Sequence, residues 1–271
     1  MSNHLLIITQ KVDEADDLLG FFVAWIREFA PRYERVDVVT LGVGSYELPA
    51  NVHVHSLGKE RGISKIRQSI RMLHMLWKHT PSAGIVFAHM SPIFAIVAWP
   101  FAFMRGSRIA LWYLHRSVTL RLKIAEKMCY RIFTAARESL QLRSDKIVEV
   151  GHGIVVEQFS IIRNWGIEDH FLRILCVGRI SPIKNHETLI EAVRILKERG
   201  VGCMITIIGR PIMPTDSRYF ESLQKKIKNY GLELVVSFVG YVPYTNMSEY
   251  YRNSDIVVNL TPTGGIDKTV L

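Results

Sequence analysis

The sequence predicts an α/β protein built from two doubly wound parallel sheets. Three observations carry that expectation. Short apolar runs of strand length alternate with longer stretches of helical periodicity. The alternation is interrupted once, over the polar and irregular stretch Ile161 to His170, and then resumes. The chain has 271 residues and 48% hydrophobic content, enough for two domains that each bury a core. The expected domains are 1–162 and 163–271.

In the first domain the strands are read at His4–Thr9, Arg35–Leu41, Val52–Leu57, Gly84–His89, Arg108–Tyr113, Arg131–Ala135 and Lys146–Val150. Asp16-Asp17 leads into a helix over Leu18–Ala30, stopped by Pro31. Ser64–His79 reads as a basic amphipathic helix, with Ile66, Ile70, Leu73 and Trp77 as one stripe and Lys65, Arg67, Arg71 and Lys78 beside it. The longest apolar run, Ile93 to Met104, is broken by Pro100 and is too short to span a bilayer, which needs roughly 18–20 residues.

In the second domain the strands are Arg173–Val177, Cys203–Ile208, Leu234–Val239 and Asp255–Leu260. The helices are His186–Arg199, Asp216–Tyr230 and Asn246–Arg252, the first with Leu189, Ile190, Val193 and Leu196 on its apolar face and Gly200 at its stop. A last helix opens at Ile266 and the chain stops at Leu271, within its first turns. We therefore expect a C-terminally truncated second domain and a fragment of a longer protein.

Composition narrows the class. The N-terminus lacks the basic region and apolar stretch of a signal peptide, so a cytoplasmic protein is expected. Cys129, Cys176 and Cys203 are scattered; the last two lie in apolar runs and read as core thiols. No Cys/His spacing resembles a zinc site, and no cofactor is expected. The formal charge of +9 is uneven: from Arg61 to Ala125 there is no Asp or Glu. Such a one-signed region suits an anionic partner, whether a phosphate ligand, a nucleic acid or an acidic membrane. No helix-turn-helix, RRM or zinc-finger pattern supports nucleic acid.

The chemistry gathers after the strands. Val177-Gly178-Arg179 leads through Ser181-Pro182-Ile183 to Lys184, placing two cations on one loop at the carboxyl end of a strand, where open α/β sheets bind ligands. Arg offers a planar fork to phosphate oxygens and Lys a mobile point charge, so the pair suits a diphosphate; a solvated basic loop is the plainer reading. Gly209-Arg210-Pro211 and Gly240-Tyr241-Val242-Pro243 leave two further strands and are either ligand-facing backbone or ordinary turns. Thr261-Pro262-Thr263-Gly264-Gly265-Ile266-Asp267-Lys268 joins a strand to a helix start, where free N–H groups favour phosphate. His115 ends a strand beside Arg116, and His152 and Gly153 follow the last strand of the first domain; each is a site residue or a surface loop residue. His89 is a weaker candidate. There is no Ser/His/Asp set, P-loop, Gly-x-Gly-x-x-Gly or Asp-x-Asp.

Taken together, Val-Gly-Arg-(x4)-Lys-(x4)-Leu-Ile-Glu-Ala, Phe-Val-Gly-Tyr-Val-Pro, Asp-Ile-Val-Val-Asn and Thr-Gly-Gly-Ile-Asp-Lys resemble the donor half of the GT-B retaining glycosyltransferases of family 4, also called glycosyl transferases group 1. The resemblance is good from about Lys146 onward and looser before it. It implies two Rossmann-like domains facing a cleft. The first, 1–162, would bind a glycan or lipid-linked acceptor. The second, 163–271, would bind a nucleoside diphosphate sugar. Arg179, Lys184 and His115 match the family's catalytic positions. Gly178, Gly209, Arg210, Tyr241, Val242, Thr263, Gly264, Gly265, Ile266, Asp267 and Lys268 fall on the donor side, and His152 and Gly153 on the interdomain or acceptor side.

The family's first loop glutamate falls on Gly264, and its ribose-binding glutamate would follow Leu271. Asp267 or Lys268 could take part of the missing role. The resemblance implies metal-independent transfer with retention, in cell-surface polysaccharide or glycolipid synthesis. The fragment itself is expected to be a poor enzyme. A GT-B epimerase or hydrolase, or a non-catalytic nucleotide-sugar binder, are the alternatives. The basic helix Ser64–His79 either lies on an anionic membrane at the inner face of the plasma membrane or packs its stripe inside the first domain.

Overall fold

The computed structural model describes residues 3–80, 84–154, 159 and 171–261. The chain divides into two compact units, Met1–Gly153 and Ile154–Leu271.

The first unit holds seven parallel strands: β1 (His4–Val12), β2 (Arg35–Val43), β3 (Val52–Ser56), β4 (Ile85–His89), β5 (Arg108–Trp112), β6 (Arg131–Thr134) and β7 (Ile147–Glu149). Their order is β3-β2-β1-β4-β5-β6-β7. The connections include α1 (Phe21–Phe29), α2 (Lys65–His79), α3 (Pro92–Met104) and α4 (Leu120–Met128). A strand buried on both faces reads as an unbroken apolar run, because alternate side chains point to opposite sides. β1 shows this directly. Leu6 and Ile8 pack with Met72 of α2, Ala95 of α3 and Leu122 of α4, whereas Leu5 and Ile7 pack with Phe22 and Ile26 of α1.

Among the described residues the second unit forms a four-stranded parallel sheet in the order β10-β9-β8-β11. Its strands are β8 (Phe171–Val177), β9 (Gly202–Ile208), β10 (Val236–Gly240) and β11 (Ile256–Val258), and its helices α5 (His186–Glu198), α6 (Pro214–Asn229) and α7 (Met247–Arg252). Ile205 and Ile207 on the central strand pack against Leu189, Ile190 and Val193 of α5 and Leu223 of α6. All three cysteines are buried and none forms a disulfide.

Two sequence expectations change, and one open alternative is resolved. The first helix begins at Phe21 rather than Leu18, because the Asp16 carboxylate accepts from the Leu18 and Leu19 amides at 3.0 and 2.9 Å and folds that stretch into a turn. Pro100 does not break its run: α3 continues through it to Met104. The proline costs a helix roughly 3 kcal/mol, and burial of Phe94, Ala95, Ala98 and Ala102 against the sheet offsets that. The stripe Ile66, Ile70, Leu73 and Trp77 of α2 is not packed inside; all four residues are exposed. The expected helix at Ile266 lies outside the described residues.

Candidate functional site

The second sheet changes direction between β8 and β11: from β8 it grows one way through β9 and β10 and the other way through β11. In open α/β sheets the crevice beyond the strand ends at such a point is where ligands sit. The Arg179–Lys184 loop leaves β8 there, and β11 ends beside it at Val258, leading to Thr261. Thr263, Gly264, Gly265, Ile266, Asp267 and Lys268 lie outside the described residues, so the structure leaves the second half of that candidate site undescribed.

The loop after β8 is shaped by close backbone approach. Gly209 has φ +139°, and a Cβ there would stand 2.0 Å from the Gly178 carbonyl oxygen. Gly178 has φ +149°, with Lys184 Cε 3.0 Å from where its Cβ would be. Only glycine fits this pair, and the Lys184 side chain lies over the end of β8. The Gly178 amide donates to Ile208 O at 2.9 Å, the Gly209 amide to Gly240 O at 2.8 Å and the Ile180 amide to Arg210 O at 3.2 Å. The three strand ends carrying Gly178, Gly209 and Gly240 are thereby tied into one edge.

Arg179 is held from behind. Its Nε lies 3.4 Å from Ser181 Oγ and 4.0 Å from Asp216 Oδ2. Asp216 is buried in the first turn of α6, where its carboxylate accepts from the Met213 amide at 3.1 Å and the Ile212 amide at 3.4 Å. The helix start fixes the carboxylate, which faces the guanidinium at the limit of ion-pair distance. Sequence reasoning missed Asp216; Met213-Pro214-Thr215-Asp216, with proline at the first helical position and an acid in the first turn, was the available signal. Arg210 lies 5.5 Å from the centre of the Tyr241 ring. Val242 faces inward, packing with Leu175, Ile208 and Met247.

Behind Lys184, Asn185 has φ +52° and starts α5. His186 follows, 1% exposed, with neither ring nitrogen partnered among the described residues. Burial pushes its pKa down to about 4; Glu187 opposes this and Lys184 adds to it. The imidazole is therefore neutral at pH 7, and Arg179 and Lys184 supply the loop's charge.

The first unit carries the remaining candidates. His115 is exposed three residues beyond β5, its ring 5.4 Å from that of Tyr113. Gly153 accepts a hydrogen bond from the Trp25 indole at 2.7 Å, next to the half-buried His152. His89 is a core residue: it is fully buried, stacked on Phe22 at 3.6 Å and 3.0 Å from Thr9 Oγ1.

One titratable cluster has no counterpart in the sequence reading. The buried Asp37 carboxylate lies 2.7 Å from His4 Nε2, 2.7 Å from His55 Nε2 and 3.1 Å from His79 Nδ1, and Arg35 donates to both its oxygens at 2.7 and 3.0 Å. Burial alone would raise its pKa, but these donors outweigh burial and hold it well below the usual carboxylate range. Ligand atoms of Asp37, His55 and His79 lie within 4.8 Å of one another, close enough for a metal ion. The carboxylate is already bridged by Arg35, and the donor set fits a hydrogen-bond hub better than a cation site. Alternating His53 and His55 in β3 was the only sequence hint.

Comparison with known proteins agrees with the second unit. Residues 157–261 match the family model described as Glycosyl transferases group 1. The amylovoran biosynthesis glycosyltransferase AmsK of Erwinia amylovora is 33% identical over 125 residues, 45% of this chain and 29% of that protein. Mannosylfructose-phosphate synthase of Agrobacterium fabrum is 28% identical over 87 residues, 31% of this chain and 19% of that protein. Each match thus spans less than a third of the curated relative. The crystal structure of HepE from Anabaena in complex with UDP and glucose superposes with a TM-score of 0.68 at 14% identity, covering 95% of this chain and 74% of that one. The fold is GT-B, with two Rossmann-like units, and the match to the group 1 glycosyltransferase model lies in the second.

Proposed function

We propose that this chain belongs to an enzyme that transfers a sugar, with retention, from a nucleoside diphosphate sugar to an acceptor hydroxyl. The observation that carries the reading is the position of Arg179 and Lys184 on one loop at the switch point of the second sheet. The structural likeness to HepE, a protein whose structure was determined with UDP and glucose, supports a nucleotide-sugar donor. In the reaction, the bond between the anomeric carbon and the diphosphate oxygen breaks. The acceptor oxygen bonds to that carbon on the same face, and its proton passes to the departing diphosphate oxygen. No protein base is then required. Fixed positive charge beside the leaving group does most of the catalytic work. His115 would sit near the transferred sugar, and Gly209, Arg210, Tyr241 and the loop after Thr261 would frame the nucleotide.

The absence of an Asp-x-Asp sequence supports turnover without a divalent metal. AmsK, named for amylovoran biosynthesis, supports a role in cell-surface polysaccharide or glycolipid assembly. With a glycan or lipid-linked acceptor, the enzyme would work as a peripheral protein at the inner face of the plasma membrane.

Calorimetry with UDP tests the donor site. Arg179→Ala and Lys184→Ala should each lower affinity about tenfold or more, since a hydrogen bond to a charged group contributes roughly 1.5–3 kcal/mol. Unchanged affinity in both variants, with native circular dichroism, would remove the donor assignment. Turnover that a chelator abolishes and manganese restores would remove the metal-independent step.

A further inference from the structure

We propose that the outward face of α2, together with the adjoining end of α3, docks on an anionic lipid bilayer. This deepens the membrane placement above and rests on it, but not on the sugar-transfer step. The geometry of α2 comes first. Met72, Leu76 and His79 are its buried residues, with Gln68 and Met75 half-buried. Ile66, Ile70, Leu73 and Trp77 are each displaced by two positions from Gln68, Met72, Met75 and His79. Two residues correspond to about 200° around a helix, so α2 carries apolar stripes on opposite sides. One stripe covers the sheet. The other faces water, with Ile66 75%, Ile70 62%, Leu73 46% and Trp77 56% exposed. A helix that only covers a core needs a single stripe.

The surface continues beyond α2. The Arg105 guanidinium lies 5.4 Å from the centre of the Trp77 ring, joining the C-terminal ends of α2 and α3. Just before it, Phe103 and Met104 are 72% and 59% exposed. Large apolar side chains clustered at the surface, rather than scattered singly, mark an interaction face. No helix among the described residues is long and apolar enough to cross a membrane, so the face would lie on a bilayer and not within it.

Charge selects the occupant. Arg67, Arg71 and Lys78 flank the exposed stripe on one side and Lys65 on the other, and no Asp or Glu occurs from Arg61 to Ala125. Apolar side chains below the headgroups, cations at the phosphates and an indole between them is the arrangement of an interfacial helix. A second copy of this chain would set the same cations against each other. A nucleic acid would meet the cations but leave Ile66 and Ile70 in water.

The test is co-sedimentation of the whole chain with vesicles of phosphatidylcholine alone and of phosphatidylcholine mixed equally with phosphatidylglycerol, at low and moderate salt. Binding is expected only to the mixed vesicles and should weaken with salt. Replacing Lys65, Arg67 and Lys78 by Gln should lower it about fivefold per residue. The pair Ile70→Ser and Trp77→Ser should lower it more than tenfold with only a small shift of the unfolding midpoint, because both side chains are largely exposed. Equal binding to neutral vesicles, no binding to either, or variants that bind like the parent would overturn the proposal. So would a dimer in analytical ultracentrifugation that the Ser variants abolish, which would give the stripe to a second copy. Arg179→Ala should leave vesicle binding intact, so that failure of the donor site and failure of the docking face are read separately.

Discussion

Helices α2 and α5 look alike in the sequence and do different things in the structure. Both are amphipathic, and each packs against one face of a parallel sheet. On α5 one stripe, Leu189, Ile190 and Val193, is buried. Its polar side is charge-matched: Arg194 pairs with Glu191 and Glu198, and Lys226 of α6 reaches Glu191 at 3.8 Å. On α2 the conspicuous stripe is the exposed one, and the core contact is made by Met72, Leu76 and the histidine His79. Its cations have no acid of their own helix to pair with. Periodicity reports that a face is apolar, not what covers it. The pairing of charges on the remaining faces separates the two cases.

That contrast can be tested by truncating each stripe. Ile190→Ala on α5 should cost about 2–5 kcal/mol, as expected for a fully buried side chain, whereas Ile70→Ala on α2 should stay within about 0.5 kcal/mol. Urea unfolding of the two variants against the parent reads both. A large loss from Ile70→Ala would mean that its stripe is covered.

Acidification separates the buried histidines of the two helices. His186 of α5 has a folded pKa of about 4, below its unfolded value, so between pH 6.5 and about 4 the unfolded chain takes a proton that the native state refuses. Stability should fall through that window by on the order of 3 kcal/mol. His79 of α2 also has its pKa lowered, chiefly by burial and against the pull of Asp37. Its Nδ1 faces that carboxylate, whereas its Nε2 is buried without a partner among the described residues, so a second proton would enter an unmatched position. Its loss has the same sign and begins below the same unfolded pKa. Unfolding midpoints at pH 7 and at pH 4.5, in the parent and in His186→Leu, give the α5 share; an unchanged difference between the two pH values in the variant would refute it.

The smallest effect concerns the charged faces. Glu191→Ala should cost little, as the loss of an exposed ion pair does, and the cost should shrink with salt. Arg67→Gln on α2 should have no measurable effect on stability at any salt. A salt-sensitive loss from Arg67→Gln would show a pairing that its helix does not contain.

Much of the fold was legible because it is written locally. The run Leu5 to Ile8 marks a strand buried on both faces, and Leu189, Ile190 and Val193 mark the inner side of α5. The loop from Gly178 to Lys184 was legible because its glycine and its cations are neighbours in sequence. What was missed depends on contact across distance. Asp216 reaches Arg179 from another helix, and Asp37 collects His4, His55 and His79 from three other elements. Pro100 was misjudged because a local rule was applied where packing on the sheet decides. The two stripes of α2 were within reach of the periodicity, but which of them meets the sheet depends on how the helix is rolled, and that is decided by packing across distance.

The Asp37 hub bears on the order in which the chain is made. Every group in it lies between His4 and His79, and the strands it joins, β1, β2 and β3, are neighbours at one side of the sheet. Those contacts can close while β4 to β7 are still unsynthesised, giving the emerging polypeptide a polar anchor before its larger apolar core exists. Asp37→Asn should then slow refolding more than it speeds unfolding, measured as the two arms of a denaturant chevron. An effect confined to the unfolding arm would place closure of the hub late instead.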